Sequence, residues 1–473
     1  MEVFASFFKK KFFLEKKNQK TFIHLGSGRP VIGGLARRLP FYYGWVMVGV
    51  AFVTMAIAVN ARTAFSLFFP AILDEFGWER AVTAGAFSFG FFVSACLGPV
   101  NGWLMDRRGP VWVLEIGVLA IAAGLLLATL ANTPWQIYLT LGMLVGAGTT
   151  MVGYSGQALY LPNWFVRRRG LAISIAYAGA GVGSIVLLPL AQTIILESGW
   201  RAACMTLGVI TLVVLVPLNL LVRRRPQEIG LAPDGDSASQ AVARRTVHVV
   251  DAAWVATEWT LARALRTSRF WWLALANFMA MYAWYAVQVH QTKYLVGIGV
   301  SPGLAAWALG IVSLVAIPGQ IALGALSDRI GREPVWTIGC LGFLLTYALL
   351  IALGAWPHPV LLWLMILAQG VLGYGITSVF GPVVAEVFEG RHFGAIFGTM
   401  MIGAMSGGAA GPLVQGILHD QTGSDVPGFA LGAAAALSSA VAVWIAAPRN
   451  VRRVGRAAAE STSFISTGRM KDR

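Results

Sequence analysis

Twelve times along this chain the sequence runs for about 20 residues with almost no charge. That length of apolar helix spans the ~30 Å hydrocarbon core of a bilayer. Within lipid, only helices and closed barrels satisfy their own backbone groups. A barrel would show ~10-residue alternating segments, and none is present. The chain is therefore expected to be an all-α membrane protein with 12 transmembrane helices. The segments lie near 44–66, 82–104, 111–131, 135–160, 170–195, 201–222, 270–296, 303–325, 335–355, 359–384, 393–417 and 428–447. Composition agrees: 12% of residues are charged, against about 25% in soluble domains.

A net charge of +15 would ordinarily suggest nucleic acid, but its distribution points elsewhere. With both termini placed in the cytoplasm, 32 of the 36 Lys and Arg fall on the cytoplasmic side. The excess is thus a topology signal of the positive-inside kind, and no nucleic-acid partner is expected. The expected setting is the inner, or plasma, membrane. The basic N-terminal arm (1–43), including Lys9, Lys10, Lys11, Lys16, Lys17 and Lys20, is suited to touching anionic lipid. A linker (223–269) separates two bundles (44–222 and 270–447), and a basic tail (448–473) follows. Residues 254–267 of the linker have an amphipathic pattern suited to the membrane surface. Cys96, Cys204 and Cys340 stand alone inside spans and read as small apolar residues. The N-terminus lacks the pattern of a removable signal peptide, so the first span is the expected targeting signal. No phosphate loop, metal cluster or catalytic motif stands out. The expectation is a protein that is not an enzyme, needs no cofactor or metal and draws on a gradient.

The chain also repeats itself. Gly102-Trp-Leu-Met-Asp-Arg-Arg-Gly109 returns as Gly324-Ala-Leu-Ser-Asp-Arg-Ile-Gly331. Arg169 returns as Arg391, Pro162 as Pro382, and Pro189-Leu-Ala-Gln192 as Pro412-Leu-Val-Gln415. All recur at half-chain spacing in the same order. The fold is therefore expected to consist of two pseudo-symmetric six-helix bundles in parallel orientation.

The paired Gly-x-Leu-x-Asp-Arg-x-Gly loops resemble the signature of the major facilitator superfamily. The second copy matches more fully, because Arg332 follows it, whereas Pro110 and Val111 follow the first. A narrower resemblance, to the monocarboxylate transporter and oxalate–formate antiporter branch, rests on five strings. These are Tyr43-Gly-Trp-Val46, Glu75-Phe-Gly-Trp-Glu-Arg80, Trp164 to Ala172, Gly199-Trp-Arg201 and Arg225 to Gly235. The resemblance implies the major facilitator fold and transport of small organic anions, with a proton or in exchange for another anion. It implies a central site lined by helices 1, 4, 7 and 10. In the signature loops an aspartate pairs with arginines and the positive end of a neighbouring helix. Asp106, Arg107, Asp328, Arg329 and Arg332, with Glu386 and Arg391, are accordingly expected to form a conformational latch.

Polar residues inside the spans are the candidates for the site. A guanidinium stays charged at any ordinary pH and costs at least ~2.5–3.5 kcal/mol at the bilayer centre. Arg62, inside the first span, is therefore the leading anion-binding candidate, with Asn60 beside it. The competing reading is an arginine that snorkels to the outer surface. The fourth span offers Tyr154 and Gln157. The seventh offers Asn277, Tyr285 and Gln288, close to one stripe, and His290 as the candidate for proton coupling. The tenth offers Tyr374. In the eighth, Gln320 stands where the family often carries an arginine, and the eleventh has no Lys or Arg. With the second cation missing, a substrate with one carboxylate fits better than a dianion. The expected function is alternating-access transport of a monocarboxylate-like anion by a monomer, with proton symport as the first coupling to consider. The alternatives are efflux of an amphipathic compound along the aromatic lining (Phe65, Phe69, Trp284, Tyr285) and a non-transporting membrane sensor.

Overall fold

The computed structural model describes residues 40–78, 80–235 and 249–452. The lysine-rich part of the N-terminal arm, the middle of the linker and nearly all of the tail lie outside them. Among the described residues the regular structure is helical apart from one isolated bridge, Val249 to Arg452. Ten stretches are long and apolar enough to cross a membrane. These include α1 (Gly44–Phe76), α2 (Arg80–Arg108), α3 (Pro110–Ala128) and α4 (Pro134–Asn163). One stretch, Arg169–Asn219, bends at Gly199 (φ 82°) into α5 (169–198) and α6 (200–219). Next comes α7 (Ser268–Gly297), long enough to span but dotted with Asn277, Gln288, His290, Gln291 and Lys293. The series closes with α8 (Pro302–Ile330), α9 (Arg332–Ala355), α10 (Pro359–Val387), α11 (Phe393–Thr422) and α12 (Val426–Ala446).

The sequence punctuates these helices legibly. Pro opens α3, α8 and α12, where a missing N–H costs nothing. Thr133 and Gln136 form a capping box at the start of α4. Gly109 (φ 81°) and Gly331 (φ 102°) end the two signature loops with a backbone that L side chains resist. The repeat is thus visible in local geometry as well as in letters.

Two apolar cores form. One gathers buried side chains from Tyr43 to Ile229, and the other is drawn mainly from Trp259 to Ala446. The strings that carry the family resemblance assemble into tie-points within the first bundle. At one end, Glu75 binds Arg201 (2.6 Å) and accepts from the Trp200 indole (2.7 Å). Arg201 also donates to the carbonyls of Thr129 and Ala131. At the other end, Asp234 accepts from the backbone N–H groups of Val166 and Arg167, both at 3.0 Å. There Tyr42 donates to the Trp164 carbonyl and Tyr43 to that of Leu221. These strings stitch helix ends together and lie away from the membrane middle.

The linker departs from expectation. Residues 254–267 form two short helical pieces, Ala252–Ala256 and Leu261–Leu265, rather than one surface helix. Trp254 and Trp259 pack on Phe388, and the Trp254 indole donates to the Val387 carbonyl. Tryptophan burial against α10 outweighs the surface pattern here.

Candidate functional site

The site is built by breaks in two pseudo-equivalent helices. In α4 the helical bonding lapses at Gly153 (ψ −149°), just before Tyr154. In α10 a wide π turn, Ala368–Gly373, ends just before Tyr374. The second Gly-Tyr pair lies 220 residues after the first, the spacing that also relates Pro162 to Pro382. Interrupted helices at mid-membrane survive only where they line a cavity or pack on protein. Tyr154 shows which applies. Its ring packs edge-on against Tyr177 at 4.8 Å, and it is 40% exposed. Its exposed part opens toward the space between the bundles. It lies within electrostatic range of Tyr285 and Tyr374 in the second bundle.

Arg62 borders the same space. Its guanidinium lies 3.8 Å from the centre of the Phe91 ring, a close cation–π contact, and donates a long bond (3.5 Å) to Ser94. Phe91 meets Tyr285 edge-on at 6.3 Å across the interface between the bundles. Nη2 of Arg62 is buried and has no partner. Arg62 is thus held among aromatic side chains inside the protein, with one donor group left over. In the second bundle Tyr374 donates to Gln288 (3.3 Å) and packs at a tilt against Trp284, ring centres 4.1 Å apart.

Other expected site residues are engaged elsewhere. Asn60 is buried and staples α1 to α5: it donates to the Ala56 and Ala180 carbonyls and accepts from Ser184. Gln157 is buried, donating to the Val152 carbonyl beside the break in α4 and accepting from Tyr160. Its amide repairs the interrupted helix. Asn277 is the exception: it is buried at 1% exposure, and its Nδ2 has no partner. Gln320 is bonded to the Thr377 hydroxyl and ties α8 to α10. His290 bonds the Pro412 carbonyl (3.0 Å) and lines a separate pocket of about 790 Å³ with Lys293, His419 and Asp425, all within the second bundle. It is apart from Arg62. The sequence reading missed Phe91 and Ser94 on α2. Their signal was proximity to Gly90 and Gly98, which mark the face of α2 that packs inward. We expect Asn60→Ala to lower thermal stability by about 1–3 kcal/mol through loss of the hydrogen bonds that join α1 to α5 while leaving KM unchanged; a melting curve and uptake kinetics together check this.

At the face that bears the basic loops the two bundles contact each other crosswise. Asp106 at the end of α2 accepts from the N–H groups of Gly394 (3.0 Å) and Ala395 (2.9 Å), opening α11. Asp328 at the end of α8 accepts from Gly170 (2.9 Å) and Leu171 (3.0 Å), opening α5. Each carboxylate therefore caps a helix N-terminus in the opposite bundle. Arg332, buried at 1% exposure, joins Asp328 (2.7 Å) and Glu386 (2.9 Å). Arg224, which the sequence reading had not singled out, stands 3.8 Å from Asp106. Arg107, Arg329 and Arg391 do not act as expected. All three are exposed and make no ion pair among the described residues, and Arg107 lies on Trp103 instead. Replacing Arg332 by Gln would leave the buried Glu386 carboxylate without its ion-pair partner and Asp328 with only the N–H groups of α5. We expect a loss of about 3–5 kcal/mol, read as a depressed unfolding midpoint in detergent.

Small residues complete this closure. Gly98 and Gly102 on α2 meet Gly398 and Gly394 on α11, and Gly324 on α8 meets Gly170 on α5. Paired helices with such spacing approach backbone to backbone. The protein is closed at the basic face.

A nearly all-helical chain with ten stretches able to cross a membrane, joined crosswise at paired signature loops, has the build of a membrane carrier. The sequence profile described as Major Facilitator Superfamily matches residues 50–381 and 294–471, and the chain belongs to that superfamily. It is a multi-pass membrane transporter. Among curated relatives, monocarboxylate transporter 13 of Bos taurus is 26% identical over 395 residues, covering 83% of this chain and 86% of that protein. Monocarboxylate transporter 11 of Homo sapiens is 26% identical over 426 residues, covering 87% and 84%. Among solved structures, the proton:xylose symporter XylE bound to 6-bromo-6-deoxy-D-glucose superposes with a TM-score of 0.67 at 14% identity, covering 85% of this chain and 95% of that one. The transporter FucP in the outward conformation gives 0.60 at 16% identity, covering 85% and 98%. At these identities the structures share the fold alone.

Proposed function

We propose that this transporter carries a small organic anion with a single carboxylate, bound at Arg62. One observation carries the reading: a buried guanidinium nitrogen without a partner, on the wall of a chamber between the bundles. A carboxylate accepts two parallel N–H bonds from such a fork. The names of the curated relatives, monocarboxylate transporters, support the same class of solute. Tyr154, Tyr285, Gln288 and Tyr374 would surround the rest of the molecule. With Gln320 and Asn277 buried, the second bundle adds hydroxyl and amide groups to the chamber and no charge.

Coupling follows from the same charge. An empty carrier must reorient with an uncompensated guanidinium in its occluded chamber, which is costly in low dielectric. A bound anion cancels that cost. We therefore favour exchange of one anion for another over proton symport, since His290 lies apart from Arg62. The positive-inside rule places the basic face, both termini and the latch in the cytoplasm of a plasma or inner membrane. The chamber is formed within one chain, so we propose that a monomer works.

Proteoliposomes preloaded with unlabelled lactate should take up labelled lactate or pyruvate far faster than unloaded ones with an inward proton gradient. Faster uptake on the gradient alone would instead establish symport. Amphipathic drugs form the third arm, because Phe91, Trp284 and Tyr285 give the chamber an aromatic wall. Transport of these compounds without transport of any acid would overturn the anion reading.

A further inference from the structure

A second cationic recess lies outside the chamber, at the basic face. It has a volume of about 480 Å³ and lies where the two bundles and the linker meet. Arg169, Arg225, Arg391 and Arg452 line it, against one lining carboxylate, Glu389. Glu389 answers part of this charge: Arg452 binds it, and the Arg169 guanidinium stands 4.0 Å from it. Among the described residues no other lining carboxylate answers the remainder. Nε of Arg452 is buried without a partner. Arg225 and Arg391 are exposed and form no ion pair among the described residues. The recess is also built from both halves. Arg169 opens α5 and Arg225 follows α6, whereas Arg391 precedes α11 and Arg452 follows α12. Its wall near Arg452 is pinned by the bridge from Val249, with Val250 donating to the Val451 carbonyl (2.9 Å).

We propose that this recess binds a phosphoryl anion and that binding holds the carrier closed at the basic face. Several arginine forks converging on one small volume suit a multiply charged tetrahedral anion better than a single carboxylate. Opening the gate would carry Arg169 and Arg225 away from Arg391 and Arg452. The site thus exists fully only in the closed state, and a ligand shifts an equilibrium by its differential affinity. The consequence is inhibition from the basic face without competition at Arg62. The phosphoryl group is equally available from a soluble phosphate compound or from a phosphoinositide headgroup.

The test uses the full chain. Inorganic pyrophosphate, titrated at constant ionic strength, should raise the unfolding midpoint in detergent saturably. It should also slow uptake when present on the basic face of proteoliposomes, lowering the maximal rate with KM unchanged. In a parallel arm, vesicles containing phosphatidylinositol 4-phosphate are compared with phosphatidylserine vesicles of equal total charge. A pyrophosphate effect assigns the site to soluble anions, and an effect confined to the phosphoinositide assigns it to the lipid. Either supports the proposal. Arg225→Gln, outside both latch and chamber, should weaken the effective ligand about ten-fold with basal uptake unchanged. Equal effects from sodium chloride, or full retention of the response in Arg225→Gln, would overturn it. The unfolding readout is independent of which solute the chamber carries.

Discussion

Arg62→Gln is expected to abolish uptake of monocarboxylates while the protein still inserts and folds. The substitution removes the only cation found at the chamber wall among the described residues and leaves a shorter, neutral hydrogen-bonding side chain. A hydrogen bond to a charged group contributes about 1.5–3 kcal/mol, so losing a two-pronged grip lowers affinity by at least ~100-fold. Uptake at micromolar substrate should then vanish. Folding should survive, because Arg62 makes only a long bond to Ser94 and ring contacts with Phe91 and Phe87. Arg62→Lys separates charge from geometry: an ammonium keeps the charge and loses the planar fork. Partial uptake with raised KM is the expected result. If Arg62→Gln transports at the normal rate, the guanidinium serves packing against Phe91, and the solute must bind elsewhere.

The sequence revealed the architecture because membrane folding leaves large, redundant marks. Twelve apolar segments, alternating basic loops and a repeated loop signature each demand the same arrangement. Asp106 and Asp328 were legible for the same reason: a short loop fixes a carboxylate near a helix end, and the only choice left is which neighbour it caps. The chamber was harder to read. Arg62 stood out because its charge is anomalous in lipid. Asn60 and Gln157 looked equally anomalous, yet each answers a backbone or helix-packing need of its own bundle. Period and polarity do not distinguish an amide that repairs a broken helix from one that faces a solute. Three of the expected arginine partners failed for a related reason. Arg107, Arg329 and Arg391 have the right sequence position, but Arg224, far off in sequence and near in space, reaches Asp106. Long side chains choose partners by tertiary geometry.

Gly102→Leu should disable the gate at the basic face, the second large effect. A Cβ at this position would overlap the carbonyl of Gly394 on α11. Backbone cannot step aside as a flexible side chain does, so α2 and α11 must separate. Overpacking of this kind costs about 1–3 kcal/mol, and here the strain is released by opening the gate rather than by unfolding. Separation would also pull Asp106 from the N–H groups of Gly394 and Ala395. Those two amides should exchange with deuterium at least ~30-fold faster, the ratio matching about 2 kcal/mol of lost protection. Transport should fall steeply, because a carrier that cannot close one gate cannot alternate. Gly324→Leu, acting on Gly170 and Ser174 at the equivalent junction of α8 with α5, should do the same to the amides bound by Asp328. Gly49→Leu, where a Cβ meets nothing within 4 Å, should leave exchange and uptake unchanged. Unaltered exchange at Gly394 in the first variant would mean that the helices part and rejoin without using this contact, and the gate would then rest on Arg332 and its two carboxylates.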